Sequence, residues 1–119
     1  MGNFTELIVW QKAKDLAVYV YKVTGNLYYR RDLGIQDQMR RASVSIPSNI
    51  AEGDESGSNK MAIRYFNISK GSSAELITQT IISFEIAYLS KDECDEIINK
   101  TEEISKMLTS LIKSRRVSP

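Results

Sequence analysis

The sequence predicts an all-α protein, an antiparallel up-and-down four-helix bundle whose second helix is kinked at Pro47. Apolar residues recur at helical spacing through most of the 119 residues, and no segment alternates apolar and polar residues as a strand would. The segments between the periodic runs are short, which favours antiparallel neighbours. We expect a single domain over residues 1–119, with helices at about 7–24, 33–52, 59–89 and 91–113.

The first helix follows a seam of apolar residues and ends at Gly25, a typical C-terminal stop. Other aromatic or small apolar side chains lie outside that seam: Trp10, Ala17, Tyr19 and Tyr21. One bundle core requires only one apolar stripe. A helix with apolar residues on several faces is either central or buried against another subunit. We therefore expect these four residues to form an oligomer contact.

The second helix carries Pro47 in its middle. Proline lacks the N–H that would bond the carbonyl of Ser43, and its ring crowds that turn, which predicts a kink. Nearby serine hydroxyls or water would then satisfy the free carbonyl. Apolar spacing continues through the proline to Ile50, so we expect one bent helix rather than two. Gly53 opens the clearest loop of the sequence, residues 53–59.

The third helix has a predicted core stripe and, beside it, Ile82 and Ile86 as a second predicted oligomer contact. The core stripe consists of Ile77, Ile81, Phe84 and Tyr88. Gly71 lies in the middle of this helix, where glycine costs about 1 kcal/mol relative to alanine. We expect the close approach of another helix to compensate for that cost.

The fourth helix begins with the spacing of a capping box, in which Ser90 and Glu93 satisfy each other's backbone N–H groups. Its apolar seam then repeats to residue 111. The chain ends in the basic sequence KSRRVSP, which we expect to fray.

The composition narrows the classes of function. The chain has no histidine, which removes Ser-His and Cys-His nucleophile pairs and the common zinc and di-iron sites. We expect no enzyme, no cofactor, no metal and no small-molecule substrate. Cys94 is the single cysteine, which agrees with a reducing, cytoplasmic location. The net charge of +1 gives no global attraction to nucleic acid, and no run of about 18 apolar residues could span a membrane.

Four runs of residues carry a family resemblance: FTELIVWQKAKDLAVYVY, QMRRASVSIPSNIAEG, KGSSAELITQ and MLTSLIKS. They resemble, in this order, segments of the four-helix-bundle proteins encoded by intervening sequences within bacterial 23S ribosomal RNA genes. The resemblance implies a left-handed up-and-down bundle that assembles as a barrel-shaped homopentamer. It also implies kinship with the accessory protein of diversity-generating retroelements, a basic protein that resembles a partner of nucleic acid and reverse transcriptase. It implies no catalytic residues.

Basic residues at two places are candidates for contact with RNA or DNA: Arg40, Arg41, Lys113, Arg115 and Arg116. Arginine offers a bidentate fork that matches phosphate. Adjacent helical residues point about 100° apart, however, so the first two arginines do not form one clamp. The alternatives are a solvated face or salt bridges to Asp37, Glu75 or a neighbouring subunit, and cations at a helix C-terminus are favourable without any ligand.

Two hypotheses of function follow from these observations. The first is a non-enzymatic homo-oligomer, a pentamer by resemblance, that serves as an assembly or adaptor unit. The second is a nucleic-acid accessory protein in which the oligomer multiplies a modest basic face by avidity.

Overall fold

The computed structural model describes residues 3–117, and they form an all-helical protein without a strand, as the sequence predicts. A 3₁₀ turn at Phe4–Glu6 precedes five α-helices. These are α1 (Ile8–Val23), α2 (Leu27–Arg30), α3 (Leu33–Glu55), α4 (Asn59–Glu85) and α5 (Lys91–Val117). The molecule is elongated, measuring 50 × 21 × 20 Å.

The expected first connection contains an additional helix, α2, of a single turn. Asn26 caps it, because its side-chain oxygen accepts a hydrogen bond from the backbone N–H of Tyr29. The Tyr29 side chain is fully buried and its hydroxyl donates to the sulfur of Met39 at 3.4 Å. This turn is therefore held by the core rather than by helix propensity.

The ends of three long helices differ from the predicted ones. α3 continues to Glu55, beyond the expected residue 52, whereas α4 ends at Glu85, before the expected residue 89. The chain leaves α4 through Ala87, whose φ of 65° lies in the left-handed region, and the N–H of Tyr88 returns to the carbonyl of Ser83. α5 continues through the basic tail to Val117 instead of fraying at residue 113, and the last two residues lie outside the described range.

The four long helices pack around one hydrophobic core. α3 contacts α1 and α4, and α5 contacts α4 and α1, whereas α1 and α4 do not touch in the described residues. Order along α3 is reversed along α4, since Ser45 bonds Ser72 while Gly53 lies against Phe66. The largest fully buried side chains include Leu16, Met39, Ile46, Ile50, Phe66, Leu76, Ile97, Ile104 and Leu108.

Pro47 is buried inside α3, which continues across it as a single helix. Side chains bond the carbonyls of the two residues that precede the proline. Asn49 donates to the carbonyl of Ser45 at 2.9 Å, and Ser69 of α4 donates to the carbonyl of Ile46 at 2.9 Å. The second bond links α4 directly to the backbone of α3 beside the proline. The kink itself stays a prediction.

Neither Gly53 nor Gly71 has the surroundings that the sequence predicts. Gly53 is not in a loop; it lies buried in the last turns of α3, and a Cβ there would be 2.5 Å from the Phe66 ring. Gly71 is exposed, and a Cβ there would meet no atom within 4 Å. The expectation that another helix of this chain approaches Gly71 is wrong.

Candidate assembly surface

The face of α4 that points into the molecule is rich in small hydroxyl side chains: Ser69, Ser72, Ser73, Thr80 and Ser83. Ser73 and Thr80 donate to the carbonyls four residues earlier, at 3.0 and 2.7 Å. Such internal bonds allow a hydroxyl to be buried without leaving a polar group unpaired. Only Ala62, Phe66 and Leu76 give this face apolar side chains.

Outside the buried seam, α4 and the residue that follows it carry large apolar side chains that remain partly exposed. We call Ile68, Ile81, Ile82, Phe84 and Ile86 the α4 outer surface; their exposed fractions are 43%, 41%, 47%, 40% and 48%. The predicted core stripe is therefore wrong for Ile81 and Phe84, which the structure leaves in solvent. The surface includes both predicted contact residues of this helix, Ile82 and Ile86.

The core face of α4 can be recognised in the sequence by the spacing of its residues, although not by their hydrophobicity. Residues 62, 66, 69, 73, 76, 80 and 83 are buried and alternate steps of four and three without interruption. That rhythm is the seam of a bundle helix. A prediction from hydrophobicity does not find this seam, because most of its residues are serine or threonine while the neighbouring positions are isoleucine and phenylalanine.

The four contact residues predicted on α1 divide into three environments. Ala17 is 8% exposed and belongs to this chain's own interior, so it offers almost no surface to a partner. Trp10 packs edge-on against the Phe4 ring at 5.3 Å, and the Tyr19 ring lies under the ammonium group of Lys100. Only Tyr21 is exposed.

A groove of about 740 Å³ lies between the end of α1 and the outer side of α3. Its apolar lining consists of Tyr21, Leu33 and Val44, all exposed, and its charged residues are Asp37, Arg40 and Arg41. We call it the α1–α3 groove. α1 and α4 do not touch in the described part of the chain, so this groove and the α4 outer surface are distinct surfaces.

The adjacent arginines of α3 make contacts within the chain. Arg40 donates to the Thr24 hydroxyl at 3.0 Å and to the Tyr21 carbonyl at 3.2 Å, and its guanidinium lies 4.5 Å from the centre of the Tyr21 ring. It therefore satisfies carbonyl and hydroxyl groups where α1 ends. Arg41 pairs with Asp37 at 2.8 Å on an exposed face, which is one of the alternatives left open by the sequence.

The basic residues of α5 also differ from one another. Arg115 donates to the Asn59 side chain, lies 3.7 Å from the Asp54 carboxylate and stands over the Phe66 ring. It ties the end of α5 to the last turn of α3 and the first half of α4, which supports the continuation of the helix past residue 113. Lys113 and Arg116 are exposed.

The capping box at the start of α5 is confirmed. The Glu93 N–H donates to the Ser90 hydroxyl at 3.1 Å, and the Ser90 N–H donates to the Glu93 carboxylate at 2.9 Å. Cys94 follows directly and is buried, and this burial raises the pKa of its thiol. A buried, protonated thiol is a poor nucleophile.

Within residues 3–117, no three histidine, cysteine or carboxylate side chains gather closely enough to hold a metal ion. No helix in that range is both long and apolar enough to cross a membrane. The extended surfaces just described are therefore the candidate sites, rather than a pocket with reactive groups.

Comparison with known proteins gives a family match and a structural match. The model of the family described as 23S rRNA-intervening sequence protein matches residues 5–110. No curated protein matches the chain. The crystal structure of a protein with unknown function from the S23 ribosomal protein family of Bacteroides thetaiotaomicron VPI-5482 is 26% identical, with a TM-score of 0.82, and the alignment covers 89% of this chain and 99% of that one.

Proposed function

The chain belongs to the 23S rRNA-intervening sequence protein family, and on this basis we propose that it is a non-enzymatic, self-assembling helical protein that serves as an assembly or adaptor unit. The resemblance noted in the sequence supports a pentamer. The absence of histidine from the whole chain supports a role without acid–base or nucleophilic catalysis.

The observation that carries the proposal is the reversed polarity of α4. A helix on the surface of a monomer normally turns its apolar side inward and its polar side to water. Here Ser69 and Ser83 are fully buried, while Ile82 and Ile86 are about half exposed. Contiguous exposed apolar patches mark interaction sites. Burial against a second copy of the chain would remove the α4 outer surface from water.

The proposal includes the architecture of the subunit. We propose an antiparallel up-and-down four-helix bundle of one domain, built from α1, α3, α4 and α5, with α2 as an added turn. The reversed order of contacts between α3 and α4 and the short connections support this topology. A kink at Pro47 and a cytoplasmic location, for which the lone Cys94 speaks, belong to the same proposal.

Sedimentation velocity and light scattering across nanomolar to micromolar concentrations test self-assembly. We expect a mass about five times the 13.5 kDa of the subunit, with dissociation at the low end of the concentration range. A monomer at every concentration would refute the proposal. A dimer or tetramer would retain self-assembly and refute the pentamer.

The alternative of nucleic-acid binding depends on exposed cations. Of the five candidate residues, Arg40, Arg41 and Arg115 have partners within the chain, which leaves Lys113 and Arg116 as exposed groups. A mobility-shift assay with RNA and DNA at low salt tests this alternative. Binding that falls steeply with salt and with Lys113→Gln plus Arg116→Gln would support it, and no shift at low salt would remove it.

A further inference from the structure

We infer that two different surfaces of this chain meet at the subunit contact: the α4 outer surface of one copy is received by the α1–α3 groove of the next. This inference rests on the proposed self-assembly and specifies the partner and the geometry of that contact. Because the two surfaces differ, the contact is head-to-tail.

The first argument is geometric. A contact in which the same patch meets itself joins two copies and stops, whereas a head-to-tail contact between two different patches can close into a ring of any number. A ring of five cannot be built from self-complementary contacts alone. The chain must then present two separate surfaces, and the α1–α3 groove and the α4 outer surface share no residue.

The second argument is that both surfaces contain exposed apolar side chains beyond what single scattered residues explain. Leu33, Val44 and Tyr21 in the groove are 65%, 40% and 45% exposed. They lie beside one another along one open groove. A groove with an apolar lining is suited to receive the ridge of a helix, and Ile82 and Ile86 have the i, i+4 spacing of such a ridge.

The third argument is charge. Residues 71–86 of α4 and its exit contain Glu75 and Glu85 and no lysine or arginine. In the groove, the cation of Arg40 contacts the neutral Thr24 and Tyr21 groups, and within the described residues no carboxylate forms an ion pair with it. An acidic helix face and a groove with an uncompensated cation are electrostatically complementary.

Two complementary variants of the full chain test the inference. Ile82→Lys with Ile86→Lys disables the α4 outer surface, and Leu33→Lys with Val44→Lys disables the groove. All four positions are exposed, so we expect wild-type helix content by circular dichroism. Each variant alone should associate at least tenfold more weakly than wild type and remain monomeric at micromolar concentration.

The equimolar mixture gives the decisive result. Each variant retains the surface that the other has lost, so exactly one intact contact can form and the mixture should give a 1:1 dimer of twice the subunit mass. The disabled pair of surfaces carries lysine on both sides, which prevents the ring from closing.

The other outcomes overturn the inference in distinguishable ways. If the groove variant assembles like wild type, the contact is α4 against α4. If each variant is monomeric and the mixture is too, the surfaces do not pair with each other. A monomeric wild type would instead refute the proposed self-assembly. Ile8→Lys, at an exposed position of α1 outside both surfaces, is the matched control and should assemble normally.

If either double variant loses helix content, the single variants Ile82→Lys and Val44→Lys replace it in the same mixing experiment.

Discussion

The two sides of α4 reverse the usual distribution of polar and apolar residues. The inner side buries Ser69, Ser73 and Thr80, each with a hydrogen-bond partner, whereas the outer side exposes Ile81, Ile82 and other large apolar groups. The inner side lies close enough to α3 for a serine hydroxyl to reach the backbone of the neighbouring helix at 2.9 Å. Small side chains at these positions permit that approach.

In α4, the hydrophobicity of a side chain therefore does not predict whether that side chain is buried. Its inner face is selected by the narrow space beside α3, where the hydroxyls cost little because they bond within the chain. Its outer side leaves large apolar side chains 40–48% exposed within the described residues, and this exposure is what supports the proposed contact with another copy. Matched substitutions on the two sides test whether the inner side contributes more to the stability of the subunit than the outer side.

The largest effect is expected from the two phenylalanines of α4. Phe66 is fully buried, so Phe66→Ala should lower the free energy of unfolding by about 3–5 kcal/mol. Phe84 is 40% exposed, so Phe84→Ala should lower it by clearly less, about 1–2 kcal/mol in the dissociated chain. Urea unfolding at several low protein concentrations measures both values, since assembly adds concentration-dependent stability. Equal losses would mean that the outer side is also core.

The glycines provide a pair with opposite expected signs. Gly53→Ala would place a Cβ 2.5 Å from the buried Phe66 ring and 3.2 Å from the Ala62 carbonyl. Such overpacking costs roughly 1–3 kcal/mol, which exceeds or cancels the gain of about 1 kcal/mol in helix propensity.

Gly71→Ala adds its methyl group to open space and should stabilise the dissociated chain by about 0.5–1 kcal/mol. Thermal unfolding of the two variants beside wild type, at one low concentration, tests the contrast. Destabilisation by Gly71→Ala in the dissociated chain would contradict it. If the loss appears only in the assembled form, Gly71 lies at the contact between copies.

The smallest effect at neutral pH is expected at the end of the inner face, where the Tyr29 hydroxyl lies near Met39 and Ser83. Burial raises the pKa of Tyr29 from 10.0 to about 12. Below pH 10 the folded and unfolded chains both keep the proton, so stability is unaffected there. Above it the unfolded chain loses the proton first, and stability falls until the pH passes the folded pKa of about 12.

Tyr29→Phe should therefore flatten the decline of stability in alkaline solution, measured by urea unfolding between pH 8 and 12. The hydrogen bond to Asp32 raises the pKa of Tyr88, so a residual slope is expected to remain. Tyr65→Phe, at a tyrosine outside this cluster, serves as the control. An unchanged slope in Tyr29→Phe would contradict the assignment.

Much of the fold was accessible from the sequence, because three long helices have apolar seams at regular spacing. Val9, Leu16 and Val20 of α1 and Met39 and Ile46 of α3 lie on such seams and are buried. Helix ends were less accessible. α4 stops just before Ala87, which takes a left-handed conformation, and α5 continues because Arg115 is held by Asp54 at the end of α3 and Asn59 at the start of α4.

The candidate surfaces were only partly predictable. Ile82 and Ile86 stand out in the sequence because they form a second apolar stripe, and they are exposed. Ala17 follows the same reasoning but is buried within the chain. The sequence offers Arg40 as a cation available to nucleic acid. In the structure it bonds Thr24 and the Tyr21 carbonyl, and only the packing of α1 on α3 brings these partners to it.

Local spacing and motifs are sufficient to predict an all-α chain, its four long helices, the capping box at Ser90 and the family resemblance. Which side of α4 faces the core depends instead on tertiary packing. A serine or threonine that bonds within its own helix is indifferent to burial, so local chemistry leaves the choice open. The packing of α4 on α3 resolves it, because Ser69 and Ser72 bond groups of that helix while Ile82 stays half exposed.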